Sequence, residues 1–150
     1  MEQVNATQHF LGNESQWPAA RIELVDVQGL WGGRRILVQG AKRVVVQLVE
    51  PTMRERRYEF ALQPDELQRL LELFVENDFL TIRPSERAGI PDEARPSIRL
   101  VNEGGDEWTV AKWAGIADER FDVLYEALLR LEALAQKGEP VYRGPSALGA

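Results

Sequence analysis

Residues 83–114 read RPSERAGIPDEARPSIRLVNEGGDEWTVAKWA, and the fold turns on how the second half of this stretch pairs with itself. Apolar residues on both sides of Gly104-Gly105 mark a hairpin. If those two glycines alone turned the chain, Leu100 would face Thr109 and Ile98 would face Ala111, with Trp108 and Val110 on the opposite face. A three-residue loop, Glu103-Gly104-Gly105 with Gly105 left-handed, pairs Leu100 with Trp108 and Ile98 with Val110 instead. This second register gathers four apolar side chains on one face, and a slip of one residue would scatter them, so it is the expected one. The other face then carries Arg99, Val101, Glu107, Thr109, Ala111 and Trp113. Lys112 is left in phase with the core residues while Trp113 points outward, so either the strand ends near Ala111 or a bulge re-aims the pair.

Two readings of that pair stay open. In one, Trp113 covers the sheet edge or a helix end and Lys112 snorkels past it. In the other, Trp113 is an exposed anchor with Lys112 and Arg99 beside it, since Trp and Arg are favoured in interface hot spots. The loop before the hairpin poses a similar choice. It runs fourteen residues from Arg83 to Pro96, longer than most connections in compact domains, and Pro84, Pro91 and Pro96 restrict its backbone. Asp92, Glu93 and Arg95 form a charged set here, with Arg87 or Arg99 as partners. A structural ion pair or a turn-capping Asp is the plainer expectation. A carboxylate pair for acid–base chemistry, or a Mg²⁺ or Ca²⁺ site, is the sharper one, weakened because neighbours in an extended segment point to opposite sides.

Before this stretch, Arg21–Gln28 reads as a strand covered on both sides, Gly32-Gly33 as a turn, and RRILVQ, Gly40-Ala41-Lys42 and RVVVQLVE as a hairpin rich in β-branched residues. Pro51 and the TMRERR loop lead to a further strand in which Tyr58, Phe60 and Leu62 alternate. Pro64, followed by Asp65 and Glu66, opens a helix whose apolar face is Leu67, Leu70, Leu71 and Phe74. After the hairpin, Asp118 is placed to cap a second helix with the stripe Phe121, Leu124, Tyr125, Leu128, Leu131 and Leu134, closed by Lys137-Gly138. The expectation is an α+β domain over residues 20–138: a single antiparallel sheet of about five to six strands with two helices packed on one face. Residues 1–19 read as a flexible N-terminal arm pinned by Phe10 and Trp17, and residues 139–150 as a C-terminal tail, mobile apart from Val141 and Tyr142.

Composition narrows the function classes. The absence of cysteine excludes disulfides, thiolate nucleophiles and Cys-based metal centres, and suits a reducing compartment. Lys and Arg number eight against seven Asp and Glu over residues 1–62, but ten against seventeen over residues 63–150. An acidic body has little to offer phosphates, so no nucleic-acid partner is expected. No run approaches the ~20 apolar residues of a membrane span, and the opening residues lack a basic n-region with an apolar run, so the expected setting is the cytoplasm. His9, the single histidine, stands in the arm, so a Ser-His-Asp triad or a His-based zinc site would have to recruit it from there and is not the expected chemistry. Gly32-Gly33-Arg34-Arg35 lacks the strand-to-helix setting of a phosphate loop, and NEGGDE does not match calcium-loop spacing. The Arg54-Glu55-Arg56-Arg57 run reads first as a solvated loop and second as a contact for an acidic partner.

PDELQRLLEL, GIPDEARPSIRLVN, VAKW and FDVLYEALLRLE, together with the Gly-Gly hairpin, resemble a group of uncharacterised bacterial proteins across residues 20–135. The resemblance implies a small α+β domain and contributes no catalytic residues. Two functions from different classes are therefore expected. The first is a non-enzymatic module, without cofactor, that presents its outer sheet face or a strand edge to a protein partner or as a homodimer. The second is a small enzyme or ligand binder that uses Asp92, Glu93, Arg95 and Lys112 in a pocket below the long loop.

Overall fold

A computed structural model describes residues 4–29 and 31–148. The strands are β1 (Arg21–Gln28), β2 (Gly32–Gln39), β3 (Arg43–Val49), β4 (Arg54–Phe60), β5 (Ser97–Val101), β6 (Glu107–Ala111) and β7 (Tyr142–Pro145). They form one antiparallel sheet in the order β6-β5-β1-β2-β3-β4-β7. The α-helices are α1 (Ala6–Leu11), α2 (Pro64–Glu76) and α3 (Glu119–Ala135), so the α+β class holds, with seven strands in place of the expected five or six. Among the described residues no helix is long and apolar enough to cross a membrane.

The sheet is built from alternation. Ile22 and Leu24 of β1, Ile36 and Val38 of β2, Val44 and Val46 of β3 and Tyr58 of β4 belong to one buried cluster with Leu67, Leu71 and Phe74 of α2 and Phe121, Leu124 and Leu128 of α3. At the start of α2, the Gln63 N–H donates to Glu66 Oε1 at 3.0 Å and the Glu66 N–H to the Gln63 carbonyl at 3.0 Å. Asp118 caps α3 by accepting from the Phe121 N–H at 3.0 Å. Leu134, expected in the buried stripe, stands exposed, and Tyr125 is half-buried.

Four segments differ from expectation. Arg54–Arg57, read as a loop, is the first half of β4: Glu55 pairs with Val49 and Arg57 with Gln47. Its charges hid the alternation, because Glu55 is buried and held by Gln47 Nε2 at 3.0 Å and Arg57 Nε at 3.2 Å. The described part of the N-terminal arm forms α1 and a 3-10 turn, Glu14–Ala19, that bury Thr7, Leu11 and Trp17. Asn5 Nδ2 donates to the Val75 carbonyl at 2.6 Å, and Thr7 donates to Asp78 Oδ1 through both N–H and Oγ1, so α1 supplies partners at the end of α2. The described tail adds β7 alongside β4, with the Arg57 guanidinium 4.8 Å from the Tyr142 ring centroid. Residues 1–3 and 149–150 of that arm and tail lie outside the described residues. Finally, the chain turns after Gln28, leaving Trp31 exposed, and Gly32-Gly33 begin β2 instead of forming the turn.

Candidate functional site

The β5–β6 hairpin adopts the expected register. Ile98 pairs with Val110 and Leu100 with Trp108, around a loop closed by the Asn102 N–H to the Asp106 carbonyl at 2.9 Å. Gly105 takes φ 88°, a conformation that disfavours a side chain. Ile98, Leu100 and Val110 are buried, but Trp108 remains 37% exposed because no strand lies beyond β6. The Arg83 guanidinium sits over its ring at 5.3 Å.

Hydrogen-bond parity shows which backbone groups this edge presents. Asp106 bonds inward to Asn102, Lys112 N–H to the Pro96 carbonyl at 3.1 Å, and Ala114 N–H to the Ala94 carbonyl at 2.9 Å. Even-numbered residues therefore face β5. Glu107, Thr109 and Ala111 turn their N–H and C=O groups the other way, where the sheet ends. Beside this edge runs a groove of about 390 Å³, walled by Ile82, Arg83, Pro84, Glu86 and Arg95.

The six residues singled out from the sequence do not converge on one point. Glu93 is a clamp: it accepts from Arg87 Nη1 and Nη2 at 2.8 and 2.6 Å, from the Gly115 N–H at 2.7 Å and from the Ile90 N–H at 3.3 Å. Arg87 first, then the Gly115 amide, hold its carboxyl at about 2, far below the usual carboxylate range. Asp92 is an exposed turn residue at φ 67°, with no side-chain partner among the described residues. Arg95 lies 5.3 Å over the Trp113 ring and 3.6 Å from Glu86. Trp113 packs on Gly89, where a Cβ would come within 2.4 Å of the indole. Lys112 is buried, with Nζ 2.6 Å from Asp122 Oδ1 and 5.4 Å from the Phe121 ring centroid. Arg99, expected as a partner of the loop, is instead on the sheet between Glu23 at 3.2 Å and Glu107 at 2.9 Å.

Arg99 is one end of a polar chain that the sequence did not disclose. Arg35 links Glu23 at 2.7 Å to Gln47 at 2.8 Å, and Gln47 leads to Glu55 and Arg57, so the chain crosses β5, β1, β2, β3 and β4. Each link depends on register between strands far apart in sequence, so spacing along the chain gave no signal. Among the described residues these groups satisfy one another apart from Arg99 Nε, which is buried without a hydrogen-bond partner.

A cavity of about 380 Å³ does lie below the long loop, lined by Lys112 but not by Asp92, Glu93 or Arg95. Its other polar residues are Asp26, Asp122, Tyr125 and Glu126. The Tyr125 hydroxyl donates to Asp26 Oδ2, which also accepts from Arg34 Nη1 at 3.2 Å, and Arg34 Nε donates to Glu132 at 2.8 Å. Burial first, then the bond to Asp26, raises the Tyr125 phenol above its ordinary range. This cluster ties α3 to the β1–β2 hairpin. Among the described residues no group of three or more His, Cys, Asp or Glu side chains is arranged to hold a metal ion.

Known families, curated proteins and solved structures contain no match to this chain. The geometry of its own residues is therefore the basis for function.

Proposed function

We propose that the chain is a non-enzymatic protein-interaction module that accepts an extended segment along the open edge of β6. The observation that carries it is the row of outward backbone groups at Glu107, Thr109 and Ala111 beside a preformed groove. An added strand gains its affinity from those groups and its selectivity from alternate side chains, which here meet Trp108 and the wall at Arg83 and Pro84. The shared core of α2, α3 and the Ile22 side of the sheet supports placing both helices on one face, which leaves the edge accessible beyond them. The acidic balance favours a protein over a nucleic acid as partner, and a cysteine-free chain suits the cytoplasm. The resemblance to uncharacterised bacterial proteins adds no activity to this proposal.

Thr109→Pro tests it, because proline removes an outward N–H while the inward bonds of Trp108, Val110 and Lys112 stay. Peptides selected by display against the wild-type chain are expected to alternate apolar and polar residues and to lose binding to Thr109→Pro at unchanged thermal stability. Peptides held equally by both proteins would contradict strand addition. A small-molecule site keeps one observation in its favour, the cavity beside Lys112, although Lys112 and Asp26 already have partners there.

A further inference from the structure

We infer that the strand taken up by β6 is the β6 of a second copy of this chain, antiparallel and centred on Thr109; this rests on the strand-addition proposal above. The register follows from length and parity. β6 spans Glu107–Ala111, so only a two-fold axis at Thr109 overlaps all of it. Glu107 then pairs with Ala111 of the other copy and Thr109 with its own equivalent. All of these are outward-facing positions, giving about six backbone hydrogen bonds. Such a contact is isologous and closes on itself.

Side chains agree with this pairing on four counts. On the helix side, the exposed flank of Trp108 meets Val110 of the second copy, an aromatic against a β-branched partner. On the other side, Glu107 faces Ala111, so no like charges oppose one another. Along the edge the two ends differ in charge: Glu103 and Asp106, which have no ion-pair partner among the described residues, stand at the turn end, whereas Arg95 at the other is 3.6 Å from Glu86. Antiparallel pairing keeps the acidic ends of the two copies apart, whereas parallel pairing would set acid against acid. Gly105 arrives opposite Trp113, and nothing lies within 4 Å of the position a Cβ would take there, so the bulky ring meets the smallest residue.

Sedimentation velocity of the wild-type chain from micromolar to millimolar concentration, alongside Thr109→Pro and Asp106→Lys, tests the pairing. Expected is a monomer–dimer equilibrium whose association constant falls at least about tenfold in Thr109→Pro. Asp106→Lys, at an exposed turn outside the strand, should weaken it by a smaller factor, and its effect should fade at high salt. A wild-type chain that stays monomeric at millimolar concentration, yet binds display-selected peptides in a Thr109-dependent way, overturns self-pairing and leaves strand addition to a different protein standing. A monomer that binds no such peptide overturns both. A dimer indifferent to both substitutions overturns self-pairing, since its interface then lies elsewhere.

Discussion

The sheet has two edges, and they are finished differently. At β7 the Ser146 N–H bonds to Met53, so Tyr142 and Gly144 face β4, and Arg143 and Pro145 face outward. Proline has no N–H to offer, and the outward Pro145 carbonyl already accepts from the Tyr142 hydroxyl at 2.9 Å. β7 is thus a short strand with a charged residue, a proline and a self-satisfied carbonyl, the usual means of blunting an edge. β6, also short and with a charge of its own at Glu107, has neither the proline nor the self-satisfied carbonyl. Three successive outward positions keep both donor and acceptor, and no bulge or proline interrupts them. Under the strand-addition proposal, the edge that keeps its outward donors and acceptors is the one that takes a partner.

Removing β7 should produce the largest break in this contrast. A chain ending at Val141 exposes the backbone of β4, a seven-residue strand, and deprives Arg57 of the Tyr142 ring. Light scattering should then show a new association that Thr109→Pro does not suppress. If the shortened chain associates no more than the full one, β7 is not a guard.

A smaller effect is expected where β6 is anchored. The edge is open along its length but tied just beyond it, by Lys112 to Asp122 of α3 and by Glu93 to the Gly115 amide. Asp122→Ala leaves a buried ammonium without its carboxylate and should cost about 1–3 kcal/mol in urea denaturation. Lys112→Met, which keeps the buried stem, should cost less. Equal losses would mean that the ion pair is incidental.

The Glu93 clamp gives the smallest effect and a defined pH window. Its folded pKa lies below that of the unfolded chain, so its contribution is complete above about pH 4.5 and is lost as pH falls towards about 2. Because Trp113 packs on Gly89 within the clamped loop, its fluorescence should report that loss. Glu93→Gln should flatten the acid limb, and an unchanged acid limb would remove Glu93 from the anchor.

Legibility in the sequence followed the range of the interactions. The β5–β6 register was readable because one left-handed glycine and four apolar residues settle it within a few positions. α2 and α3 were readable from their caps and periodicity. α1 was not, since its partners Val75 and Asp78 lie about seventy residues away. The start of β4 was hidden by Arg and Glu residues that make sense only against Gln47 and Tyr142. The candidate site was half legible. Its residues lie in the stretch that stood out, but β6 is an edge only because β1 pairs with β5 and β2, which no local pattern states.

Amide hydrogen exchange along β6, measured as protein concentration is raised, tests the open edge most directly. In dilute solution Glu107, Thr109 and Ala111 should exchange fast while Trp108, Val110 and Lys112 are protected, and the three fast amides should slow together as concentration rises. Equal protection of odd and even residues in the dilute chain would contradict the open edge, and fast exchange at the odd positions at every concentration would contradict the pairing of two copies.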